Sequence, residues 1–167
     1  MMALVILVIL VILGISVIGG LPVHRTNIEH TDSEGDVSNP NCDIVRIKSF
    51  ADGKDIVLNM MVAGRIRNST TSSQYSYPYE YRFTIAAKML DDEEAHIYVI
   101  RYKNGALESC SDARALAEND TLTIFFPLSE FVSGSYMIGL EGWASDYNWV
   151  DRTSSDRNAT IARLLFS

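Results

Sequence analysis

DIVRIKSFADGKDIVLNMMVAGRI, residues 43–66, decides the fold. Two apolar, β-branched runs flank Ala51-Asp52-Gly53-Lys54-Asp55, and Asp-Gly between such runs signals a hairpin. In the second run Ile56, Leu58, Met60, Val62 and Ile66 fall on one face. Asn59, Arg65, Val57, Met61 and Ala63 fall on the other. A period of two is the signature of a strand, because successive side chains point to opposite faces of a sheet. The stretch reads as the founding hairpin of an all-β domain.

Downstream the same period recurs in short runs. Tyr79 to Met89 places Tyr81, Phe83, Ile85 and Ala87 on one face and Arg82, Thr84 and Lys88 on the other. Ala95 to Lys103 is a further strand, and Asn104-Gly105 is a type I′ turn signal that returns Ala106 to Cys110 beside it. Ala113 to Ala117 suits either a helical turn or a short strand. Thr121 to Pro127 is a strand, Leu128 to Gly134 a crossing loop, and Ser135 to Ser145 a long strand with Tyr136, Ile138, Leu140 and Ala144 on one face. Asp146 to Asn158 reads as a polar, aromatic loop, and Ala159 to Phe166 as a closing strand. Many short, evenly spaced strands predict an antiparallel β-sandwich or a closed barrel over residues 42–167.

Upstream, Met1 to Val23 holds no charged residue, and Val5 to Leu13 is three tandem Val-Ile-Leu triplets. About 20 apolar residues suffice for a helix to cross a bilayer. Residues 1–23 therefore read as an uncleaved transmembrane anchor or a signal peptide. The run lacks a preceding basic residue and an Ala-x-Ala exit, which favours the anchor. Arg25 on its C-terminal flank favours a cytoplasmic domain by the positive-inside tendency. Three glycosylation sequons, at Asn68, Asn119 and Asn158, oppose it, as does the even cysteine count. The expected location is a cell membrane, single-pass, with the domain outside the cytoplasm, or secretion after cleavage. Cys42 and Cys110 are expected to form a disulfide closing a long loop.

Residues 24–41 are polar, hold Pro40, and read as an acidic stalk. Asp32, Glu34 and Asp36 stand at alternate positions, which offers Ca²⁺ a set of oxygen ligands. The stretch is not an EF-hand loop, since Val37 stands where the turn glycine is required. A solvated linker without any cofactor is the plainer expectation.

The order of features also carries a resemblance. Gly35-Asp36 precedes Asp43-Ile44, which opens a hairpin ending in Ala63-Gly64-Arg65-Ile66. Tyr81-Arg82-Phe83, Ile97-Tyr98-Val99-Ile100, Asn104-Gly105 and the run Asp120 to Ser129 follow. Over Thr31 to Ser167 this resembles the β-sandwich superfamily of family 9 carbohydrate-binding modules and DOMON-like domains, many of them carried by membrane-anchored prokaryotic surface proteins. The resemblance implies a jelly-roll-like sandwich and, by fold analogy, a ligand-binding role. It transfers no functional residue.

A net charge of −7 speaks against nucleic acid as a partner. Of the three histidines, His24 and His30 lie in the stalk and His96 heads a strand. No nucleophile elbow, zinc spacing or phosphate loop accompanies them, so an enzyme is not expected. Haem ligation by His96 with Met60, Met61 or Met89 has only strand methionines to recommend it, and these usually fill cores. The aromatic residues are the better lead. Tyr75, Tyr77, Tyr79 and Tyr81 alternate, and Trp143, Tyr147 and Trp149 cluster. Trp143, Tyr147, Trp149, Tyr77 and Tyr79 are the candidate platform for a polysaccharide or a surface-protein partner. The competing reading packs these rings into the core edge of a structural or protein-docking domain.

Overall fold

The computed structural model describes residues 27–68, 78–89, 93–108, 112–132, 134–146 and 150–154. Ten strands appear among them: β1 (Ile28–Thr31), β2 (Ile44–Asp52), β3 (Asp55–Val62), β4 (Glu80–Lys88), β5 (His96–Lys103), β6 (Ala106–Leu107), β7 (Arg114–Glu118), β8 (Thr121–Pro127), β9 (Tyr136–Ser145) and β10 (Val150–Ser154). The strands form two five-stranded sheets, β1-β2-β3-β8-β7 and β10-β9-β4-β5-β6, hereafter sheets A and B. Every pairing is antiparallel.

The founding hairpin forms as expected. Asp52 pairs with Asp55, so Gly53-Lys54 is the turn, and Gly53 takes φ +60°. That conformation costs glycine no Cβ clash. The other two tight turns also need left-handed backbone. Asn104 and Gly105 have φ 53° and 83°, which suits a type I′ turn between β5 and β6, and Asn119 has φ 53° between β7 and β8.

One face of each sheet is apolar, and the two faces meet. Ile47, Ile56, Leu58, Met60, Leu122 and Ile124 of sheet A join Tyr81, Phe83, Ile85, Ile100 and Leu140 of sheet B in one buried cluster. Burying each such side chain stabilises by roughly 1.5–3 kcal/mol. The sheets approach closely at Gly142, where an added Cβ would lie 2.6 Å from Ile47 Cγ2 and 3.1 Å from Met60 Cε.

Three differences from the sequence reading, and one alternative it left open, have physical causes. Residues 28–31, expected inside the stalk, form β1 and pair with β2; a four-residue edge strand is too short to stand out among polar neighbours. Residues 150–154, expected as loop, form β10 against β9; its sequence VDRTS has only one apolar residue. Ala113 to Ala117 resolves as the strand β7, because β8 offers it an edge. The register of β4 on β9 shifts between Ala86 and Ala87, so that Met137 rather than Tyr136 and Ile138 joins the core beside Leu140 and Ala144. A bulge reverses which residues point inward. The closing strand expected at residues 159–166 lies outside the described residues, as do residues 1–26 with their apolar run. No helix among the described residues is long and apolar enough to cross a membrane.

Candidate functional site

Two places gather chemistry-bearing side chains. The first is a corner where sheet A's first strand meets sheet B's last. Asp32 directly follows β1, Asp36 sits in the ensuing turn, and Asp43 directly precedes β2. Asp151 lies on β10, opposite Ala144, on the inward face. Carboxylate oxygens of Asp32, Asp36 and Asp151 all lie within 4.8 Å of one another. Asp43 is near enough for its charge to act on Asp36. One of its oxygens accepts the Gly35 amide at 2.6 Å, while Oδ1 is buried and has no hydrogen-bond partner. Asp151 accepts the amides of Ile44 at 2.5 Å and Arg152 at 2.6 Å.

The electrostatics follow from this crowding. Asp36's carboxyl is held above the usual carboxylate range by desolvation, then by the charges of Asp32 and Asp43 and by side-chain contact with Asp43; its own backbone amide pulls the other way. Burial raises Asp151 as well, with Asp36 and Asp32 adding repulsion against two stabilising amides. Of the residues expected to offer oxygen ligands, Asp32 and Asp36 converge, whereas Glu34 is exposed and is not part of the set. Nothing local in the sequence joins Asp43 or Asp151 to Asp32 and Asp36: Asp43 stands at the start of a strand, and Asp151 lies 119 positions after Asp32 in the chain (151 − 32).

The second place is the outer face of sheet B. Arg152, Trp143, Arg82 and Arg101 stand opposite one another on β10, β9, β4 and β5, forming one cross-strand row. The Arg82 guanidinium lies 4.4 Å from the centre of the Trp143 ring. Arg152 pairs with Glu141, and Arg101 with Glu80. Trp143 is half-buried. Tyr79 is not part of this face. It stacks on Tyr81 with ring centroids 6.4 Å apart, on the core side of β4, and its hydroxyl takes bonds from Asn39 and Asn41. Tyr79 and Trp143 are thus separated by the sheet and do not form one platform. Tyr77, Tyr147 and Trp149 lie outside the described residues.

The remaining expected sites divide similarly. Cys42 is free and fully buried in the core cluster, and Cys110 lies outside the described residues, so the expected bridge is not formed at Cys42. A buried thiol there behaves as a small hydrophobe. Asn119 is exposed at the tip of the β7–β8 turn, while Asn68 accepts the Tyr102 hydroxyl at 2.9 Å. Asn158 lies outside the described residues. Compared with known protein families, curated proteins and solved structures, the chain matches none.

Proposed function

We propose that this chain is a jelly-roll-like β-sandwich binding module, anchored in a membrane by residues 1–23 and displayed outside the cytoplasm, with a polysaccharide as its ligand. The observation that carries the ligand is the row Arg152–Trp143–Arg82–Arg101 on the outer face of sheet B. An indole offers flat apolar area with a polar edge, which suits a sugar ring. The flanking guanidiniums are planar, multi-donor groups suited to sugar hydroxyls and carboxylates. They gather on a chain whose net charge is −7. The display outside the cytoplasm is supported by the uncharged run of residues 1–23 and by the exposed sequon asparagine Asn119. No catalytic residue is assigned.

A second reading, a structural or protein-docking domain of the cell envelope, is favoured by the seat of Arg82 on Trp143, which uses one ring face within the fold. Affinity electrophoresis of the full chain in gels containing neutral or uronic-acid polysaccharides separates the two. The binding module predicts retardation that Trp143→Ala reduces tenfold or more while the melting temperature stays close to wild type. No retardation in any gel, together with a large stability loss in Trp143→Ala, establishes the structural domain instead. Protease added to intact cells should digest the domain; its protection there would refute the outward display.

A further inference from the structure

We infer that Asp32, Asp36, Asp43 and Asp151 form a Ca²⁺ site that fastens the entry strand β1 to the edge strand β10. The inference is independent of what sheet B binds. Four carboxylates from separate places in the chain are brought to one corner, three of them with oxygens within 4.8 Å of one another. Like charges at that spacing repel, and folding gathers them only if something compensates. Among the described residues no lysine or arginine does so. The ion pairs nearby are committed elsewhere, Arg152 to Glu141, Arg46 and Lys48 to Glu29.

The independent pointer to a cation is Asp43. Its side chain is 1 % exposed, and its Oδ1 is buried without a hydrogen-bond donor. A buried ionised oxygen without a partner is costly, so an oxygen of this kind asks for a counter-charge. The charge of Asp43 also bears on Asp36, and carboxylates so placed repel one another. The amides that do reach the site, from Gly35, Ile44 and Arg152, orient Asp43 and Asp151 and leave oxygens of the set for a ligand. They act as the outer contacts that fix ligand geometry around a metal.

The donors choose the ion. All four are carboxylates, hard oxygen ligands, with no histidine or thiolate in the set, which excludes a preference for zinc or copper. Their irregular placement on a turn, two strand ends and a strand suits the flexible coordination of Ca²⁺ better than the strict octahedron of Mg²⁺. The position gives the ion a mechanical role. Asp32 directly follows β1, the first described strand after the apolar segment, and Asp151 belongs to β10, which packs beside β1 and β2. A cation there ties the tethered end of the domain to the opposite sheet.

The test uses the full chain in detergent, stripped with EDTA. Isothermal titration with CaCl₂ should show saturable binding near one ion per chain, with MgCl₂ weaker by tenfold or more. The melting temperature should rise by about 5 °C or more in 2 mM CaCl₂, as expected for a ligand that binds only the folded state. Hydrogen exchange of amides in residues 29–37 should slow at least tenfold with Ca²⁺, while amides of β3 and β8 change little. Asp36→Asn, at an exposed position that tolerates the change, should abolish the calcium-dependent increments, and Glu34→Gln should keep them. Absence of calcium binding overturns the inference. So does a calcium effect undiminished in Asp36→Asn. Binding without slowed exchange at residues 29–37 overturns the fastening of β1.

Discussion

Tyr81 shows how one side chain links three parts of the fold. Its ring is fully buried, and its hydroxyl accepts the Arg67 amide at 3.1 Å and donates to the Asn41 carbonyl at 3.1 Å. Burial pushes the phenol well above its ordinary value, with Cys42 and Tyr79 adding to the rise and the Arg67 amide opposing it. For an acid whose folded value is raised, the folded state holds the proton that the unfolded state gives up. Stability is therefore fully present below the unfolded value of about 10 and falls as pH rises beyond it. Denaturant midpoints at pH 9 and pH 11 should differ more in wild type than in Tyr81→Phe; equal differences would contradict this account. Tyr81→Phe should itself cost about 1–3 kcal/mol, because it strands a buried amide and carbonyl. Cys42 belongs to the same neighbourhood. Burial, and then Asp146 and Asp151, push its thiol up to about 12. Native protein should resist alkylation at Cys42 and react once unfolded. Rapid labelling in the native state would show that the corner opens.

The elements differ in how plainly sequence announces them. β3 is legible because the apolar residues Ile56, Leu58, Met60 and Val62 recur at every second position, and all four are buried in the core. β4 and β8 carry the same signal. β1 and β10 do not, since their strand character comes from pairing with β2 and β9 and not from their own apolar content. The acidic corner was half legible for the same reason. Asp32 and Asp36 are local neighbours, but Asp151 arrives only because β10 lies beside β2. Bulges are likewise invisible in a period-two count, and that in β9 inverted the assignment of Tyr136 and Ile138. The loop that ends the founding hairpin offers a test at this scale. A Cβ at Gly64 would lie 2.7 Å from the Pro40 carbonyl carbon and 2.8 Å from the Asn41 nitrogen. These are backbone atoms, which cannot rotate away as a side chain would. Gly64→Ala should therefore force the 40–42 turn off β3, lowering stability by about 1–3 kcal/mol as overpacking does. Gly35→Ala meets no neighbouring atom and suffers only from its φ of +87°, so its cost should stay nearer 1 kcal/mol. Thermal melts of the two variants would reverse this order if the close approach at Gly64 were not real.

At the scale of the molecule the two sheets have no separate cores. Leu58 of sheet A and Phe83 of sheet B are both fully buried in the one cluster, and the contact of Gly142 with Ile47 and Met60 leaves no layer between them. Neither sheet alone would cover its apolar face, so each depends on the other for burial. The chain order makes that dependence long-range. β2 and β3 are followed by β4, β5 and β6 of the other sheet before β7 and β8 return to sheet A, and β9 and β10 then complete sheet B. Non-local pairing of this kind predicts slow folding, in the millisecond-to-second range, as one unit. Leu58→Ala should lower stability by about 2–5 kcal/mol and Phe83→Ala by about 3–5 kcal/mol. Each should act on both sheets. Far-UV circular dichroism reports strands of A and B together, whereas the near-UV signal includes Trp143 of sheet B. In either variant the two transitions should move by the same amount and coincide. If Leu58→Ala unfolded part of the far-UV signal while the tryptophan transition stayed at its wild-type midpoint, the sheets would be independent and the shared core would not be what holds the molecule together.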